Sequence, residues 1–131
     1  MMYGKAMLFD DTATATMILA TPDPKTHKAL GRKVIPFNDV VWRKHREAIV
    51  LAGSRAKYRQ NPALLAALLA TSGTTLVEAS PFDRVWGIGL GVNNPKALDR
   101  KNWRGQNLLG QILTALRDEL AAEQVAVASM Q

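Results

Sequence analysis

Caps and prolines cut this chain into short helices, and that punctuation restricts the fold before composition is considered. Asp10-Asp11 suits a stop and a restart, with Asp11 or Thr12 capping a helix through Met17, Ile18 and Leu19. Asp23-Pro24 sets a cap and a proline at the first helical position. The short helix that follows is expected to end at Gly31 as a left-handed C-cap. After an extended connector from Gly31 to Phe37, Asn38 or Asp39 caps the longest helix, running to about Tyr58. Val41, His45, Ala48, Ile49, Ala52 and Ala56 recur on it at helical spacing and form its expected buried stripe. Asn61-Pro62 opens another helix, whose Leu64, Leu65, Leu68 and Leu69 should sit deep in the core, and Thr71-Ser72-Gly73 closes it. Met1 to Phe9 reads as a helix ahead of all these. The last helix turns Leu109, Ile112, Leu113, Leu116 and Leu120 inward and exposes Arg117, Asp118 and Glu119, with residues 124–131 expected as a frayed tail.

The β signal is the apolar run Leu76-Val77-Glu78-Ala79. The expected class is therefore α+β and mainly helical: a single domain over residues 1–131, with one or two short strands beside a helical bundle. A chain of 131 residues is large enough for a real core and too small for two domains. It has no cysteine, which excludes disulfides, thiolate metal sites and a Cys nucleophile and fits a cytoplasmic location. No apolar run approaches the roughly 20 residues that span a bilayer, so neither a membrane partner nor a signal peptide is expected. The formal net charge of +6 favours anionic partners. The basic residues are dispersed, without interleaved aromatics, so the charge supports a phosphate-bearing ligand better than a nucleic-acid reader.

The chemistry-bearing stretch follows the apolar run. Ser80-Pro81 turns the chain, and Asp83 and Trp86 then lie three apart on an irregular segment, followed by Gly87 and Gly89, where backbone can approach a ligand closely. A carboxylate beside an aromatic plate suits a sugar or a base, although a surface turn with a core Trp fits the same residues. Lys5, on an otherwise apolar helical stretch, either snorkels to solvent or is a desolvated amine able to bind an anion or attack carbon. Trp42 packs in the core or lines the cleft, and Arg32 and Arg46 could clamp phosphate. A P-loop is missing, Gly87-Ile88-Gly89-Leu90-Gly91 lacks the spacing of a dinucleotide fingerprint, and the two histidines lie on different helices, so neither a metal nor a cofactor is expected.

Several segments, taken together and in order, resemble the NADAR family, also called YbiA-like. They are Lys5-Ala6-Met7-Leu8-Phe9; Gly31-Arg32-Lys33-Val34 with Phe37; Trp42-Arg43-Lys44-His45-Arg46; Ala56-Lys57-Tyr58-Arg59-Gln60-Asn61-Pro62; the stretch from Leu76 to Gly89; and Trp103-Arg104-Gly105-Gln106-Asn107-Leu108-Leu109-Gly110. The resemblance implies an N-glycosidase that hydrolyses the bond between a base-like amine and ribose. Its substrate would be a phosphorylated riboflavin-pathway intermediate or ADP-ribose attached to guanine, with nucleic acid entering only as the modified substrate. By position, Asp83 looks like the cleft carboxylate and Trp86 its aromatic wall, Lys5 matches the family's first-motif lysine, Trp42 and Trp103 its other tryptophans, and Asn107 its amide. Family members also carry strands and a glutamate ahead of the segment matching Met1-Met2-Tyr3, so an N-terminally shortened form or an upstream start is expected. The alternative expectation is a non-catalytic module that binds ADP-ribose or a nucleotide.

Overall fold

The computed structural model describes residues 1–130, which divide into two compact units, Met1–Gly53 and Ser54–Gln131. Six helices are present: α1 (Met2–Leu8), α2 (Thr12–Leu19), α3 (Pro24–Gly31), α4 (Asp39–Gln60), α5 (Pro62–Leu69) and α6 (Leu108–Ser129). Two single 3-10 turns, Pro95–Leu98 and Arg100–Asn102, precede α6.

In the first unit α1, α2 and α3 pack against one another around Ala6, Ala15, Ile18, Leu30 and Val34, with Met2 and Phe9 closing the cluster. The caps act as their residue types dictate. Asp23 accepts from the Lys25 and Thr26 amides, with Pro24 behind it, and Asn38 accepts from the Val41 amide at 3.1 Å. Asp11 accepts from the Thr14 amide and hydroxyl and also from the Ile35 amide at 3.0 Å, so one carboxylate caps α2 and ties down the distant connector. The Thr14 hydroxyl, then the Ile35 and Thr14 amides, hold the Asp11 carboxyl below its ordinary range. A carboxylate depressed in this way adds stability that is complete above the ordinary aspartate pKa and disappears as pH falls through the lowered folded value. Asp11→Asn, which cannot titrate, should therefore flatten the acid limb of a stability-against-pH profile followed by circular dichroism.

Gly31 is not a left-handed cap. It is the last residue of α3, and the C-cap is Arg32 in right-handed geometry at φ −73°. A Cβ on Gly31 would run into the Met2 side chain, so glycine is there to let α1 come close. The expected stripe of α4 is also displaced. Trp42 and Val50 are its buried residues, whereas Val41, Ala48, Ala52 and Ala56 are exposed. The stripe turned inward runs through the indole, whose apolar area outweighs that of several alanines.

In the second unit α5 packs against α6, and Leu68, Ile88, Leu90, Leu116 and Leu120 are buried. α5 is less deep than its leucines suggested, since only Leu68 is buried and Leu64 is exposed. Arg55 makes a bidentate pair with Glu119, with nitrogen–oxygen distances of 2.8 and 2.9 Å, and Arg59 pairs with Glu123 at 2.6 Å. Arg117, expected on the surface, is buried: its guanidinium donates to the Thr71 carbonyl at 3.0 Å, to the Thr71 and Thr74 hydroxyls, and to Asp118. The turn after α5 offers that oxygen cluster, and a fork-shaped cation satisfies it better than a leucine would. The expected tail is helical through Ser129, because no glycine or proline follows Gly110 to stop the helix.

The strands are not found. Among the described residues there is no β-strand, so the class is mainly helical rather than α+β. The run from Leu76 to Ala79 shares its backbone groups between side chains and two backbone amides, those of Ser80 and Ile88, which donate to the Glu78 carbonyl at 3.0 Å. The Leu76 amide donates to the Thr114 hydroxyl at 3.0 Å and the Leu76 carbonyl accepts from the Asn107 amide group at 3.1 Å. The Glu78 amide donates to Asn107 Oδ1 at 3.0 Å. The one bond to a distant backbone group, from the Ile88 amide to the Glu78 carbonyl, is not continued into a ladder because the neighbouring groups are taken by Asn107 and Thr114. Nor is any helix among the described residues long and apolar enough to cross a membrane.

Candidate active site

Two groupings of the expected residues emerge, one in each unit. In the first, Lys5 extends from α1 so that its ammonium lies 4.7 Å from the Phe37 ring centroid and 5.5 Å from that of Trp42. Phe37 in turn meets Phe9 edge-on at 5.2 Å. Trp42 is buried in the first turn of α4, and Phe37 is half exposed on the connector. Both rings favour the cation through their negative faces. Burial nevertheless lowers the Lys5 pKa from its ordinary value, and the negative charge of Asp39 opposes that shift only in part. Among the described residues no carboxylate pairs with the Lys5 amine at contact distance, and the amine is partly buried. Arg32 lies exposed at the end of α3, and Arg46 is half buried on α4. Phe37 was legible in the sequence only as a motif residue, because an aromatic on a connector gives no sign of the amine it will meet.

The second grouping is built on a clasp between two loop segments. The carbonyls of Arg84, Val85, Trp86 and Gly87 accept from the amides of Gln106, Leu108, Leu109 and Asn107 at 2.9 to 3.1 Å. The first amides of a helix have no partner within it. Here the turn carrying Asp83 and Trp86 supplies carbonyls to the start of α6. Asp83 organises that turn: its Oδ1 accepts from the Val85 amide at 3.0 Å and the Trp86 amide at 2.8 Å, and its carbonyl accepts from Gly89. Asp83 Oδ2 accepts no hydrogen bond among the described residues. The carboxylate and the Trp86 backbone are therefore locked together through Oδ1 alone. Trp86 is half buried.

Gly87 is buried, and a Cβ there would stand 2.8 Å from the Glu78 carbonyl oxygen and 3.0 Å from that of Asp83, so the fold's own backbone occupies that space. Asn107 is buried with a left-handed backbone at φ 54°, and both ends of its amide are engaged by the Leu76–Glu78 segment. Trp103 is fixed by its indole nitrogen, which donates to the Ala97 carbonyl at 2.8 Å, while Arg100 lies 5.4 Å from its ring centroid. No group of three or more His, Asp or Glu among the described residues is arranged to hold a metal ion.

Comparison with known proteins gives a consistent result. The NADAR domain matches residues 1–121. N-glycosidase R617 of Acanthamoeba polyphaga mimivirus is 43% identical over 119 residues, which cover 91% of this chain and 70% of that protein. Protein irg-1 of Caenorhabditis elegans is 38% identical over 125 residues, covering 94% of this chain and 59% of that one. N-glycosidase YbiA of Escherichia coli (strain K12) is 31% identical over 121 residues, covering 92% and 69% respectively. The chain thus spans between 59% and 70% of the length of these relatives.

Proposed function

The chain belongs to the NADAR family, and on that premise we propose that it is an N-glycosidase cleaving the bond between a base-like amine and a phosphorylated ribose. The observation that supports this reading is the Asp83 turn, in which one carboxylate oxygen caps the Val85 and Trp86 backbone amides and the other accepts no hydrogen bond among the described residues. Breaking a C1′–N bond builds positive charge on C1′ and the ring oxygen, as in glycoside hydrolysis. Asp83 stabilises that charge or takes a proton from the attacking water. The water oxygen bonds to C1′, and the leaving nitrogen departs with a proton. Trp86 stacks on the base or the ribose. Lys5 either binds the phosphate or, in its neutral form, attacks C1′ of the opened sugar, expelling the base and leaving an imine that water hydrolyses.

The substrate class is a small glycosylated molecule: a phosphorylated riboflavin-pathway intermediate or ADP-ribose on guanine, both of which suit a chain of net charge +6. In this reading Trp103, Asn107 and Gly87 support the Asp83 turn within the second unit, Trp42 and Arg32 are ligand-binding residues of the first, and the setting is the cytoplasm. A binding module without turnover draws on the same turn, because capping two amides already gives Asp83 a structural role.

The deciding measurement pairs an assay of base release from both substrates with calorimetry using ADP-ribose. Release of free base supports the enzyme, whereas binding with no release overturns it in favour of the module. Borohydride during turnover should trap a sugar adduct on Lys5. Turnover without a trapped adduct leaves Lys5 as an anion-binding residue.

A further inference from the structure

The positive charge of the second unit is mostly accounted for. Arg55 and Arg59 pair with Glu119 and Glu123, Arg117 with Asp118, and Lys101 with Asp99. Arg100 donates to the Thr75 hydroxyl and lies over the Trp103 ring. Arg84 and Arg104 are exposed and, like Lys57 and Lys96, have no ion pair or side-chain hydrogen bond among the described residues. What sets the two arginines apart is that they meet. Gly89 has φ +71°, and a Cβ built on it would stand 3.0 Å from Arg104 Cβ and 3.4 Å from Arg84 Cγ. The roots of the two side chains therefore both lie against one glycine.

The main chain fixes their roots. The Arg104 amide donates to the Ile88 carbonyl at 2.8 Å, and the Arg84 carbonyl accepts from the Gln106 amide at 2.9 Å. Arg84 also directly follows Asp83 in the clasped turn. Two exposed arginines rooted this close can bring both guanidiniums onto one anion, and guanidinium forks match phosphate oxygens bidentately.

We propose that Arg84 and Arg104, spaced by Gly89, form a clamp for a phosphate or diphosphate group. The clamp rests on the N-glycosidase reading only in taking that group to belong to the substrate whose sugar meets Asp83. Gly89 is part of the device, since any side chain there would run against both arginines as well as strain a positive φ.

The test is calorimetric titration of the whole chain with inorganic pyrophosphate at low salt. Arg84→Gln, Arg104→Gln and the double variant are compared with Lys25→Gln, a control that removes one exposed charge in the other unit. Each single arginine variant should bind about tenfold more weakly, in line with the loss of a charge-assisted contact. The double variant should show no measurable binding, and added salt should weaken the parent. Melting curves should coincide, because the main-chain bonds at both positions survive glutamine. No pyrophosphate binding by the parent, parental affinity in the double variant, or an equal loss in Lys25→Gln each overturns the clamp. Pyrophosphate binding lost only in the arginine variants, together with no base release from any substrate, upholds the clamp and removes the glycosidase reading.

Discussion

Asp83→Asn should lower base release by about 10²–10⁴-fold, the usual contribution of one positioned acid–base group, with the thermal midpoint unchanged. The asparagine carboxamide retains an oxygen where Asp83 Oδ1 accepts from the Val85 and Trp86 amides, so the turn persists. What disappears is the negative charge and, with it, any capacity to take a proton from water. Asp83→Ala separates the two roles, because it deletes the cap as well and should lower both turnover and melting temperature. Parental rates in Asp83→Asn would remove the residue from the chemistry and leave it as the keystone of a turn.

The largest stability loss is expected at Asn107. Its side chain bridges the Leu76 carbonyl and the Glu78 amide while its backbone takes a left-handed conformation, φ 54°, that asparagine tolerates better than most residues. Asn107→Ala leaves two backbone groups without partners at a buried site and puts a Cβ residue in that conformation with no compensating bond. Each unpaired group costs about 1–3 kcal/mol, so the total should be about 3–5 kcal/mol in urea unfolding. Asn107→Gly relieves the backbone and keeps the lost bonds, so it should recover only a minor part. A loss below about 1 kcal/mol for Asn107→Ala, the ordinary effect of a point substitution, would mean that solvent or a rearranged loop takes over both groups.

Helix boundaries were legible because they depend on local chemistry. As helix starts, Asp11, Asp23-Pro24, Asn38 and Pro62 each act within four residues, although Asp11 has a second, distant partner in Ile35. What the sequence left hidden depends on partners far along the chain. The Leu76 run has the residue types of a strand, but whether it joins a ladder is decided by Asn107 and Thr114, about 30 to 40 positions later. Arg117 looked like a surface charge because nothing nearby announces the Thr71 oxygens that receive it. Gly31 signals a left-handed turn to any local rule, yet its role is set by Met2. The same division runs through the site. Asp83 with Trp86 stands out by adjacency, whereas Phe37 against Lys5 and Arg84 beside Arg104 exist only once the chain has folded.

The clasp between residues 84–87 and 106–109 has a mechanical consequence. A segment whose carbonyls complete the opening turn of α6 cannot swing outward as a flap without unravelling that turn. A sugar arriving at Asp83 would accordingly meet a wall already in shape, and discrimination between substrates would come from fit on arrival rather than from a gate that shuts behind them.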